Sequence, residues 1–270
     1  MSKTILITGS STGIGRTTAK LFQSKGWNVV ATMRSPENET QLSALPNVLV
    51  TKLDVQDAAS IHQAVADGIR RFGAIDVLLN NAGYGSYGVL EATPMEKVRR
   101  QFEVNVLGLL ETTKAVLPHF RSRRTGVVIN ISSMGGKVTF PLGTLYHGSK
   151  FAVEGLSEAL HHELATIGVR VKIIEPGRIA TDFGGRSFDF SNDEKLTEYQ
   201  GFVARVVASM TDGLSASPAD LVADVILRAA TDEQDQLRYV AGSDAEQLIA
   251  LRKSADDTTY FTALKTMFGV

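Results

Sequence analysis

The chain has 270 residues, of which 43% are hydrophobic and 21% charged, with a formal net charge of -1. This is the make-up of a globular fold with a sizeable core, and near-neutral charge argues against a nucleic-acid partner, which leaves a basic footprint. Cysteine is absent, which excludes disulfides, thiolate catalysis and cysteine-ligated zinc.

The first apolar run, TILIT (4–8), is too short for a secretory signal. No segment approaches the roughly 18 apolar residues of a membrane helix, so the expectation is a soluble cytoplasmic protein. TILIT reads as a strand and leads straight into TGSSTGIG, Thr8 to Gly15, ahead of a helical stretch near 14–25. Gly9, Gly13 and Gly15 permit a tight turn and close approach of backbone to a ligand. The helix that follows aims free N–H groups and its positive dipole end at a phosphate. A plain strand-to-helix turn is the alternative.

NVVATM (28–33) reads as the second strand. A carboxylate at its end would hold the ribose 2′-hydroxyl of NAD. Thr32, Met33 and Arg34 stand there instead, and no carboxylate follows before Glu37. The Arg34 guanidinium suits a 2′-phosphate, which favours NADP(H); the alternative is a solvated surface arginine.

VLVTKL (48–53) and IDVLLN (75–80) are further strands, with a helix at 57–72 between them and one long helical stretch at 94–121 beyond. GVVINIS (126–132) is the fifth strand, and Ser133 ends it. Tyr146 and Lys150 open the helix at 147–167, four apart and so on one face. A phenol near pKa 10 is a poor acid–base group at neutral pH, and a nearby ammonium lowers it. With Ser133 at the carboxyl edge of the sheet, where ligands bind in open α/β folds, the three read as one site. His147, next in sequence to Tyr146, is expected to point elsewhere. His161 and His162 read as surface or interface residues, and the five histidines form no metal-ligand set.

VRVKIIE (169–175) is the sixth strand and QLRYVAG (236–242) a weaker seventh. The alternation implies one α/β domain over 1–270, a doubly wound parallel sheet of about seven strands with helices on both faces. Residues 181–216 lack a strand pattern and read as a substrate lid carrying Phe183, Phe188, Phe190, Tyr199 and Phe202. With Tyr84, Tyr87, Met134, Phe140, Leu142 and Leu145 they would wall an apolar pocket, or else pack the lid on the body. SPAD (217–220) starts a helix with Ser217 as cap and Pro218 in the first turn. The tail, 244–270, has helical apolar spacing that would cover the pocket, dock on the core or meet a second subunit.

Taken together, these motifs resemble the short-chain dehydrogenase/reductase family over nearly the whole chain. TGSSTGIG is similar to its T-G-x-x-x-G-x-G loop, NNAG (80–83) to its N-N-A-G motif, and EPGRIATDF (175–183) to its P-G-x-x-x-T segment. Ser133, Tyr146 and Lys150 match its S…Y-x-x-x-K centre, and Asn105 the fourth member of the tetrad. Y-x-x-x-K alone is weak; five motifs in order are specific. The strand end ATMR, YHGSKFAVEGLSE and the segment from SPAD to LRYVAG (217–242) look nearest the 17β-hydroxysteroid and retinol dehydrogenase branch.

The resemblance implies Tyr146 as acid–base, Lys150 lowering its pKa and binding the nicotinamide ribose, Ser133 orienting a carbonyl and Asn105 holding a relay water. It places Gly9, Ser11, Thr12, Gly13, Ile14 and Gly15 at the pyrophosphate, and Asp54 and Val55 at the adenine. Asn81, Ala82 and Gly83 would flank the adenosine ribose; Pro176, Gly177, Ile179 and Thr181 would meet the carboxamide. The residues themselves leave Asn105 equally a buried amide that satisfies backbone groups. The expected activity is NADP(H)-dependent interconversion of an apolar carbonyl and its alcohol, without metal, in a homodimer or homotetramer. An NAD-linked alcohol dehydrogenase and a dinucleotide-sensing regulator without chemistry are the alternatives.

Overall fold

A computed structural model describes residues 2–211 and 216–270. The end of the expected lid, 212–215, lies outside the described residues.

The apolar runs become buried strands. In chain order the first half is β1 (Thr4–Ile7), α1 (Gly13–Ser24), β2 (Asn28–Met33), β3 (Val48–Lys52), α2 (Ala58–Phe72), β4 (Val77–Asn80), β5 (Gly85–Gly88), α3 (Met95–Phe102) and α4 (Gly108–Arg123). The second half is β6 (Gly126–Ile131), α5 (Thr144–Ala165), β7 (Val169–Pro176), β8 (Ile179–Ala180), β9 (Phe188–Ser191), α6 (Thr197–Thr211), β10 (Ser217–Pro218), α7 (Ala219–Thr231), β11 (Arg238–Ala241), α8 (Ser243–Ser254) and α9 (Asp257–Phe268).

Seven strands form one parallel sheet in the order β11-β7-β6-β4-β1-β2-β3. Strands buried on both faces explain the nearly unbroken apolar runs. Ile5, Ile7, Val29 and Ile129 face one core layer with α1 and α7; Leu6, Val30, Leu78 and Val128 face the other with α2 and α4. The chain leaves β1 toward β3, then returns to β4 on the other side of β1. This reversal opens a crevice at the carboxyl ends of β1 and β4.

Four local expectations change. The stretch 94–121 is two helices, divided by a π-helical turn at Glu103–Leu107. The expected lid holds a strand: β9 pairs in parallel with β5, Gly85 opposite Phe188 and Gly88 opposite Ser191. Ser217 is not the cap of α7; Pro218 takes the N-cap position after the two residues bridge Ile179 and Ala180. Strand β6 stops at Ile131, and Ser133 instead caps a short 3-10 turn, Met134–Gly136.

The tail docks on the body. Tyr260, Leu264 and Phe268 of α9 are buried with Met134, Val138 and Leu142, so α9 backs the loop between β6 and α5. Among the described residues, no helix is long and apolar enough to cross a membrane.

Candidate active site

The loop between β1 and α1 folds as its glycines allow. Gly9 and Gly13 have φ of 71° and 54°, a region side chains disfavour. A Cβ on Gly15 would lie 2.4 Å from the Gly9 carbonyl oxygen and 2.5 Å from Asn81 Nδ2. The start of α1 carries no side-chain cap and no acidic residue, so its N–H groups stay available to an anion. This cradle fits a dinucleotide pyrophosphate, with Ser11, Thr12 and Ile14 on its rim.

Across the crevice, Thr8 and Asn81 join β1 to β4. Thr8 Oγ1 accepts from the backbone N–H of Asn81 at 2.9 Å and of Ala82 at 3.0 Å. Asn81 Nδ2 donates to the carbonyls of Thr8 at 2.9 Å and Gly9 at 3.1 Å. The Asn81 side-chain amide nitrogen therefore holds the glycine loop. Thr181 stands at the far rim, 3.5 Å from where a Cβ on Gly13 would lie, which brings Pro176, Gly177 and Ile179 to the same crevice. Asp54 and Val55 follow β3; the Asp54 carboxylate accepts from the Gln56 N–H at 3.0 Å.

At the adenosine end, Arg16 binds Glu39 through both guanidinium nitrogens and holds its carboxyl down at about 2. Arg34 is exposed and, among the described residues, has no ion-pair partner. It follows directly on the end of β2.

Ser133, Tyr146, Lys150 and Asn105 do come together. All four are buried, none more than 9% exposed. Ser133 Oγ accepts from the Gly135 N–H at 3.0 Å, and its hydroxyl bonds the Tyr146 hydroxyl. Lys150 Nζ donates to the Ile131 carbonyl at 2.8 Å and lies 5.9 Å from the Tyr146 ring centre. Asn105, in the π-helical turn, bonds both backbone groups of Tyr84, accepting at 3.0 Å and donating at 2.8 Å. Its amide thus takes the backbone-satisfying role that the residues alone left open. A Cβ on Gly83 would lie 3.2 Å from Asn105 Oδ1 and 3.9 Å from Lys150 Nζ, so Gly83 keeps this corner open.

The electrostatics differ from the expectation. Burial raises the Tyr146 hydroxyl above an ordinary phenol, and the Ser133 bond opposes it. Burial also lowers the Lys150 ammonium to about 8, opposed by the charge of Glu154. The ammonium is turned to the Ile131 carbonyl, so here it does not bring the phenol down.

One feature escaped the sequence, and another was legible there only as residues without their geometry. His147 does not point away: it is buried, its Nε2 accepts from the Phe140 N–H and its Nδ1 bonds the Gly135 carbonyl, both at 2.9 Å. It ties the Ser133 turn to the helix that carries Tyr146. The second is an aromatic cover. Tyr87 stacks on Tyr146 with centroids 5.2 Å apart, Phe188 stacks on Tyr87 at 5.2 Å, and Phe183 meets Tyr146 edge-on at 5.9 Å. The other aromatic side chains serve packing: Phe140 meets Phe268, Phe202 joins the α9 cluster, and Tyr199 bonds Glu91. Arg186 pairs with Asp182, and Arg178 bonds the Met210 carbonyl.

Comparison with known proteins agrees with this layout. The family model described as short chain dehydrogenase matches residues 3–191. An uncharacterised oxidoreductase of Schizosaccharomyces pombe is 47% identical over 239 residues, 88% of this chain and 100% of that protein. The crystal structure of a short-chain dehydrogenase from Streptomyces avermitilis superposes with a TM-score of 0.82 at 33% identity, covering 100% of this chain and 97% of that one. ElxO with NADP bound superposes with a TM-score of 0.73 at 28% identity, covering 89% of this chain and 98% of that one. A glycine cradle, a hydroxyl pair and a buried lysine at one sheet edge, on a chain matched from β1 through β9, have one source: the chain belongs to the short-chain dehydrogenase family.

Proposed function

We propose that the protein is an NADP(H)-dependent oxidoreductase that interconverts a carbonyl and an alcohol on an apolar ketone, aldehyde or secondary alcohol. The observation that carries this reading is the bonded pair of hydroxyls, Ser133 and Tyr146, buried with the Lys150 ammonium at the end of β6. Two hydroxyls aimed at one point suit a carbonyl oxygen: Ser133 donates a hydrogen bond and Tyr146 transfers the proton.

The dinucleotide would lie along the crevice from Arg34, past Asp54, Val55 and the glycine loop, to Ile179 and Thr181. When bound, the reduced dinucleotide would supply the hydride, and the oxidised one, with its positively charged ring, would accept it in the reverse direction. Lys150 would hold the adjoining ribose and, released from Ile131, bring its charge nearer to the phenol. Asn105 would hold a water on the path by which the proton returns. Arg34 and the NADP seen on ElxO support the phosphorylated cofactor. The aromatic cover supports an apolar substrate, since a polar one would leave its groups unpaired against Tyr87, Phe183 and Phe188. Exposed Met95, Phe102 and Leu107 around α3, with Phe151 on α5, support a homo-oligomer through these helices.

The test is turnover across a panel of ketones, aldehydes and alcohols with either cofactor. Tyr146→Phe should lower kcat/KM by about 10³-fold while dinucleotide binding is kept. Full activity in this variant would refute the assignment. Tight cofactor binding without turnover on any substrate would indicate a sensing protein.

A further inference from the structure

One helical turn beyond Lys150, on the same face of α5, stands Glu154. Opposite it, near the end of β7, stands Glu175. Their exposures are 4% and 1%, so both carboxyls are out of water. They share one guanidinium: Arg238 Nε donates to Glu154 at 3.0 Å and lies 3.2 Å from Glu175. Arg238 also pairs with Glu158 at the surface.

Three atoms in this corner are buried without a hydrogen-bond partner: Ser132 Oγ, Glu154 Oε1 and Glu175 Oε1. They belong to one neighbourhood. The Ser132 N–H donates to the Ile174 carbonyl, which sets Ser132 beside Glu175. A Cβ on Gly136 would lie 2.6 Å from Ser132 Oγ, 2.9 Å from Glu154 Cγ and 3.0 Å from the Lys150 carbonyl. Gly136 therefore lets the serine, Glu154 and the backbone of Lys150 close in on one point where a side chain would clash.

Two ionised carboxylates only accept hydrogen bonds, so neither satisfies the other. Ser132 brings one donor for two oxygens without a hydrogen bond, of which Glu175 Oε1 keeps only its ion-pair contact with Arg238. A single added proton turns one carboxyl into a donor and removes the deficit, along with the repulsion of two buried like charges.

We propose that Glu154, Glu175 and Ser132 form a proton-holding site behind the catalytic centre, in which the carboxyl pair keeps one proton and its ionisation sets the charge felt by Lys150. The part of this that concerns turnover rests on the function proposed above. Burial and then the Glu154 charge push the Glu175 carboxyl up to about 7, against Arg238, Lys137 and Lys253. The other charged groups facing the site are Lys150 and Glu158 of α5. Glu154 in turn supports the Lys150 ammonium against burial. It is a positioning residue: it acts through Lys150.

Infrared difference spectra of the full chain, recorded without substrate across pH, test the site. A carboxylic-acid carbonyl band should be present at about pH 5.5 and lost as pH passes about 7. Glu175→Gln should abolish it, because the carboxyl pair that keeps the proton is gone. Glu154→Gln should move its loss to lower pH by about one unit, because the like charge is gone. No acid band titrating near neutrality, or a band that survives Glu175→Gln, overturns the proposal. The wild-type titration alone is decisive even if a variant does not fold.

The link to Lys150 is read on the lysine itself, by isotope-edited NMR of its Cε, assigned with Lys150→Arg. Its midpoint should fall by about one unit in Glu154→Gln. An unmoved midpoint overturns the link. Both titrations without turnover would support this site and remove the catalytic reading.

Discussion

At the scale of single residues, charge placement separates Arg16 from Arg34. Both lie near the adenosine end, but Arg16 is neutralised by Glu39 and Arg34 is not. Arg34→Ala should weaken NADPH binding about tenfold or more and leave NADH nearly unchanged, read by fluorescence titration of both cofactors. Equal losses for the two would make Arg34 a surface charge. That Ser133, Tyr146 and Lys150 lie together was legible from their motif spacing; Asn105 joined them only through the family resemblance. His147 was not legible, because its neighbour Tyr146 defined the inward face of α5. The loop from Met134 to Gly143 wraps the start of that helix, so the next direction round the axis is inward as well. Helical periodicity carries no information about a loop that covers a second face.

At the scale of elements, the five inner strands of the main sheet were legible because burial on both faces selects unbroken apolar runs, while the edge strands β3 and β11 are only partly buried. The β5–β9 ribbon was not legible. Each strand has four residues, GSYG and FDFS, and they meet from opposite sides of the catalytic motifs. Their pairing depends on Gly88, whose φ is 126° and whose missing Cβ would lie 2.0 Å from the Ser191 carbonyl oxygen. Gly88→Ala should detach β9 at a cost of about 1–3 kcal/mol and strip the cover from Tyr146. Hydrogen exchange across 188–191 should then rise sharply. Unchanged protection there would show that Lys97, which pairs with Asp189 and Ser191, holds β9 without it. The π-helical turn was missed for a similar reason: one inserted register step leaves the apolar spacing on both sides intact.

For the whole molecule, buried carboxyls divide the pH axis. Glu39 has its folded pKa lowered to about 2, so its contribution is present above the usual carboxylate value and lost as pH falls toward 2. Glu175 has its folded pKa raised, so its contribution is full below the usual value of 4.5 and lost as pH rises through about 7. Glu175→Gln should therefore flatten the decline in Tm across that interval, measured by thermal melts at a series of pH values. An identical slope in both proteins would refute the shift. The order of the sheet also has a consequence in time. Strand β1 lies inside the sheet between β2 and β4, so one of its edges stays bare until residues 77–80 have left the ribosome. Ser133, Tyr146 and Lys150 emerge later, and β9 later still. During synthesis the Ser133–Tyr146 site is built open and roofed afterwards.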